Sequence, residues 1–301
     1  MAYSGPIVDA HMHLWDLDRH HYAWLQLPAQ HNPAGDVSGI AGRNYGLEQY
    51  RADVAGWNIV KSVHIECGLP PQDQLSETDW LQAIADADVE GFPQAIVAGA
   101  CLDRPDVEGL LEAHAARANV RGVRQIVNWH ADPLKTYTPR DLLQDPAWRQ
   151  GFGLLAKYGL SFDLQLYPSQ MLDAAVLAFA HSRTSIIVNH AGMPTDRDAD
   201  GLEAWRVGMA ALAAQPNVSV KISNFGGVDP DWSPSSIAPF VHRILDLFGV
   251  ERVMFASNFP VDRVHGAFGA HFAAFDHAVH DLTAAEREAL FAANAARLYR
   301  I

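Results

Sequence analysis

Eight short apolar, β-branched runs recur along the chain, and most of the stretches between them carry apolar residues at helical spacing. The runs are 6–14 (PIVDAHMHL), 58–67 (NIVKSVHIEC), 94–102 (QAIVAGACL), 120–128 (VRGVRQIVN), 160–167 (LSFDLQLY), 184–192 (TSIIVNHAG), 217–225 (NVSVKISNF) and 251–257 (ERVMFAS). Strands covered on both faces read as near-continuous apolar runs, and the intervening segments 76–88, 104–119, 146–159, 168–183, 201–217 and 234–250 read as helices. Gly159 and Gly249 supply helix stops. Eight strand-then-helix units predict an α/β fold, a (β/α)8 TIM-like barrel, with residues 1–301 as one domain. An open, doubly wound sheet is the alternative, but the first strand-to-helix turn has no GxGxxG to make it a dinucleotide site.

At 301 residues, about half of them apolar, the chain can bury a core of that size. A formal charge of −13 and no Lys/Arg cluster argue against nucleic acid as a partner. No uncharged run reaches the roughly 18 to 20 residues of a membrane span, and the N-terminus lacks a basic segment followed by an apolar stretch. The two cysteines, Cys67 and Cys101, sit in strand-like runs and read as buried thiols in a reducing compartment. Together these features predict a cytoplasmic protein.

In such a barrel the C-terminal strand ends and the loops after them build the active site. The first strand delivers His11 and His13 there, and strict alternation puts both on one face together with Asp9. Two adjacent neutral imidazoles are a natural start for a divalent-metal or carbonyl site. His190 ends the sixth run before an Ala-Gly-Met-Pro turn and joins them at the rim.

Arg124 lies in an otherwise apolar strand, where a guanidinium is costly unless it meets a carboxylate or ligand oxygens. Lys221 is comparable, although alternation could turn it outward. His64 and Glu66 share one face of their run; if that face lines the barrel, Glu66 is either a general base or half of a buried salt bridge. The long irregular stretch from Leu14 to about Tyr45 carries Trp15, Tyr22 and Trp24, whose rings could stack on a substrate ring or simply pack as a lid.

The motifs DAHMHLW, YAWL, VRGVRQ, IIVNHAGMP, VSVKIS and SNFPVD, in that order, resemble the amidohydrolase superfamily, in the branch holding sugar lactonases and pyrone-dicarboxylate lactonase. The resemblance implies a distorted barrel in which His11, His13 and His190 bind a metal such as Zn²⁺, or the substrate carbonyl directly, since this branch does not always need a metal for turnover. It also implies that Arg124 holds substrate oxygens.

One position departs from the pattern. Where the family carries an Asp that binds metal and takes a proton from water, this chain has Asn258, and an amide has no usable basicity near neutral pH. Either the base role then falls to Asp262 or Glu66, or the reaction needs no base at that place. The expected activity is opening of a small sugar-derived or carboxylated lactone, with His64, Lys221, Trp15 and Trp24 in substrate contact. A decarboxylase or hydratase acting on an unsaturated acid, and a silent barrel that binds a sugar acid, are the alternatives. A homo-oligomer is compatible with all three.

Overall fold

The computed structural model describes residues 3–29, 32–33 and 35–301. All eight runs form strands: β1 (Ile7–Met12), β2 (Ile59–Ile65), β3 (Ala95–Gly99), β4 (Val120–Arg124), β5 (Ser161–Leu164), β6 (Ile186–Val188), β7 (Val218–Ile222) and β8 (Val253–Phe255). They pair in parallel in sequence order, which is barrel topology and excludes the doubly wound alternative.

The helices in chain order are α1 (Leu47–Asp53), α2 (Gln74–Ala87), α3 (Val107–Ala115), α4 (Pro146–Gly153), α5 (Met171–Ala180), α6 (Ala199–Ala213), the single turn α7 (Phe225–Val228), α8 (Pro234–Phe248), α9 (Phe268–Ala278), α10 (Ala284–Glu288) and α11 (Asn294–Tyr299). Each starts where the chemistry of the sequence allows. Asp145 accepts from Ala147 N–H and Pro146 opens α4, while Ser233 caps α8 ahead of Pro234. Gly159, at φ 65°, ends the short helical turn beyond α4 in the left-handed region that glycine tolerates best.

Two apolar layers follow from the two faces of each strand. The outer one, including Ile96, Val123, Phe162, Val188, Val220 and Phe255, packs on the helices. The inner one, including Val8, Ala10, Val63, Ile65, Val97, Ile187 and Met254, fills the barrel, and Ala292, Ala295 and Tyr299 from the C-terminal helical stretch join it. No helix among the described residues is long and apolar enough to cross a membrane.

The eighth strand ends before it meets the first, and the barrel is closed by the segment after it. Asn258 N–H donates to the His11 carbonyl at 2.7 Å and His13 N–H to the Phe259 carbonyl at 2.8 Å. Asp9 is stitched to the same segment, accepting from Ser257 N–H at 2.9 Å and from its hydroxyl at 2.6 Å.

Candidate active site

Register slips between Asp9 and Met12, so β1 carries a bulge that alternation alone does not reveal. The bulge separates side chains that a regular strand would align. Asp9 turns to α1 and accepts the Tyr50 hydroxyl at 2.9 Å, which corrects its expected place beside the histidines. His11 and His13 do come together, with ring centroids 4.9 Å apart, and His190 lies 4.7 Å from His11.

His11 is wholly buried, and neither ring nitrogen has a hydrogen-bond partner among the described residues. Burial and the nearby Lys221 charge push its pKa well below the usual histidine value, so the ring is neutral and has one donor and one acceptor unmet. Buried polar atoms of that kind are rare in folded proteins and call for an occupant. His190 is held by its Nδ1, 2.9 Å from the Ser223 hydroxyl, and burial likewise keeps it neutral.

His13 is fixed at both ends: Nδ1 lies 2.8 Å from the Ile65 carbonyl and Nε2 3.2 Å from the Asn258 side chain. The Asn258 amide in turn meets Asp262 at 3.0 Å. A carbonyl only accepts, so Nδ1 of His13 carries a proton, and burial with the Arg124 charge disfavours a second unless a negative charge forms beside the ring.

A neutral His13 asks for the amide's NH2 at Nε2, which turns the amide oxygen toward a protonated Asp262. An imidazolium His13 asks for the reverse, with Asp262 ionised. Both arrangements carry the same net charge, so Asn258 links the two groups. Burial pushes the Asp262 carboxyl up to about 7, and its Oδ2 has no partner among the described residues.

Arg124 and Glu66 form a buried ion pair, Nε to Oε1 at 2.6 Å. The guanidinium also donates to the Glu66 carbonyl at 2.6 Å and to Gln165 Oε1 at 3.3 Å, which leaves two of its five N–H groups for a ligand. The second Glu66 oxygen accepts Gly68 N–H at 2.6 Å. With both oxygens engaged, Glu66 supports Arg124, and the expected base role does not suit it.

Several expected contacts fall elsewhere. Val63 and Ile65 belong to the inner layer, so His64 points out of the barrel, and its Nε2 meets the Leu14 carbonyl at 3.1 Å. Lys221 points inward but is wholly buried against Asp163, which also accepts Asn189 Nδ2 at 2.9 Å and the Tyr299 hydroxyl at 3.0 Å. It forms a charged floor below the histidines, with its head group held by Asp163. Trp15 is buried in the outer layer with its Nε1 donating to the Arg43 carbonyl, while half-buried Trp24 donates to the Cys67 carbonyl at 2.8 Å. Both tryptophans therefore fasten the segment after β1; Trp15 is buried, while the Trp24 ring stays half-exposed.

Sequence reasoning missed Ser223, although it lies two residues from Lys221, within the run VKISNF. It also missed the backbone signature of the site. His190, Ala191 and Met193 after β6, Asn224 after β7 and Asn258 after β8 all have φ between 47° and 58°. Asparagine tolerates that region; His, Ala and Met adopt it only where the surroundings impose it, as they commonly do at functional sites.

A metal does not fit the arrangement. Among the described residues no three His, Cys, Asp or Glu side chains form a group able to hold an ion. Both nitrogens of His13 are already engaged, the position nearest it is an amide, and the Glu66 and Asp163 carboxylates are taken up by Arg124 and Lys221.

An eight-stranded parallel barrel with its polar groups gathered at the C-terminal strand ends is an enzyme scaffold. The chain belongs to the amidohydrolase family, whose pattern matches residues 8–301, and is a hydrolase of that family. It is 43% identical over 296 residues, 98% of each chain, to the protein y4mH of Sinorhizobium fredii. It is 28% identical over 303 residues to an L-fucono-1,5-lactonase of Burkholderia ambifaria, covering 98% of this chain and 95% of that one. Among solved structures, an amidohydrolase from Burkholderia multivorans superposes with a TM-score of 0.80 at 24% identity, over 99% of this chain and all of that one; a second crystal form of it, at 23% identity, holds zinc.

Proposed function

We propose that this chain opens a small sugar-derived lactone by attack of water on the ring carbonyl. The observation that carries the reading is His11, a neutral imidazole buried between two others with both nitrogens unmet. A ligand carbonyl meets the donor it offers. Relatives named as L-fucono-1,5-lactonases, at 28% and 26% identity over 98% of this chain, supply the substrate class.

In this reading Asp262 takes the proton from water as the new C–O bond forms. The negative charge gathers on the former carbonyl oxygen, where His11 and the two free N–H groups of Arg124 stabilise it. The ring C–O bond then breaks, and its oxygen leaves with the proton that Asp262 returns, giving a hydroxy acid. Asn258 orients His13 and Asp262 and moves no proton by itself. Two free thiols, Cys67 and Cys101, are in keeping with a cytoplasmic setting.

The test is acid release from a panel of aldono-1,5-lactones and carboxylated lactones. Turnover well above spontaneous opening, with preference among stereoisomers, is the expected result. No turnover across the panel overturns the reading. The amide at Asn258 favours a second one, decarboxylation, which CO2 release from hydroxylated aromatic acids would reveal.

A further inference from the structure

A helix on the outside of a barrel buries one face and turns a polar one to water. α3 does so with Glu108 and Glu112, and α6 with Glu203 and Arg206. α5 does not. Its inner side buries Met171, Ala174, Leu177 and Ala178, and its outer side is a stripe of Leu172, Val176 and Phe179, which are 57%, 61% and 77% exposed. The spacing i, i+4, i+7 sets the three in one line along the helix. On α6, which packs against α5 where Gly208 makes room for Met171, Val207 is 40% exposed. A helix that is apolar on every side belongs in an interior.

Area and charge together define what covers this face. The four side chains expose on the order of 400 Å2 of apolar surface. A standard interface takes about 800 Å2 from each partner, a little over half of it apolar, and the patch supplies that share. The two ends of the stripe carry opposite charges. Asp173, in the first turn of α5, accepts Gln144 Nε2 at 2.6 Å and pairs with no cation among the described residues. Arg183, exposed just beyond the end of α5, forms no ion pair among them. Such a surface complements a copy of itself turned end for end, whereas a parallel alignment would set Asp173 against Asp173.

We propose that this face is a homodimer interface, in which α5 of one copy packs antiparallel on α5 of another about a two-fold axis beside Val176. The axis lays Leu172 of each copy on Phe179 of the other and brings Asp173 within an extended arginine's reach of the opposite Arg183. Because α5 runs from the barrel mouth toward its base, the two mouths then open at opposite ends of the dimer, both clear. The proposal does not depend on the lactonase reading.

Sedimentation velocity across the micromolar range tests it, with a species of twice the chain mass expected. Val176→Lys sets two charges together at the axis and should give a folded monomer, its helix content by circular dichroism unchanged because the position is exposed. Arg183→Asp should weaken the dimer at least about tenfold, and adding Asp173→Arg should restore it. Val176→Cys should form a disulfide-linked dimer on oxidation, which the wild type, with Cys67 buried and Cys101 half-buried, does not. A wild-type monomer throughout overturns the proposal, as does a dimer that persists in Val176→Lys and so uses another face. A dimer lost in Val176→Lys but not cross-linked through Val176→Cys overturns the antiparallel arrangement.

Discussion

Asp262 must be ionised to take a proton from water, and burial pushes its carboxyl up to about 7. kcat/KM should therefore rise with pH through about 7 and level off above it, and Asp262→Asn should lower kcat by a factor on the order of 10² to 10⁴. Glu66→Gln separates support from catalysis: breaking the buried pair should cost about 3 kcal/mol in denaturant unfolding and raise KM, while the pH midpoint stays with Asp262. Asn258→Asp supplies the carboxylate the histidine cluster lacks and should raise zinc affinity, read by equilibrium dialysis; unchanged zinc content would mean the rings cannot converge. The histidine pair and Arg124 were legible because an HxH and a strand-borne guanidinium are unusual by themselves. Asp9 and His64 were not, since a bulge and the choice of inner face shift side chains without leaving a mark in residue types.

The segment between β1 and α1 is tied to the barrel by side chains with a sequence rationale that appears only in three dimensions. Tyr22 donates to Glu77 on α2 at 3.1 Å, and Trp24 donates to the Cys67 carbonyl. Removing the second bond in Trp24→Phe should cost about 1 kcal/mol, which steady-state kinetics would register as a KM rise of roughly fivefold. Glu77 is wholly buried and its carboxyl is pushed up to about 8, first by burial and then by Glu66. A raised acid favours the fold at pH below its ordinary value near 4.5, and that contribution is lost as pH rises through about 8. Glu77→Gln should accordingly raise Tm at pH 9, by on the order of 4 kcal/mol of stability, and change little at pH 5. The strands and most of the helices were readable from apolar runs and spacing. This segment was readable only as long and aromatic, because its order comes from single bonds to distant carbonyls and carboxylates that no local pattern encodes.

Across the whole molecule the barrel rests on a polar floor, where Tyr299 reaches through the inner layer to Asp163 and Lys221. Tyr299→Phe should lower stability by about 1 to 2 kcal/mol, measured by urea unfolding, since it leaves a buried carboxylate one donor short. The seam that completes the cylinder has a different consequence. Ser257 grips Asp9 across 248 positions of sequence, and the residue beside it, Asn258, touches His13. Time enters here: the closing partner of β1 is synthesised 248 residues after Asp9. No N-terminal fragment that stops before Ser257 contains both halves of the site, and contacts of such long range form late and slowly. Catalytic competence and completion of the fold therefore arrive in the same step, so recovery of activity on refolding should track closure of the cylinder and lag behind the appearance of helix.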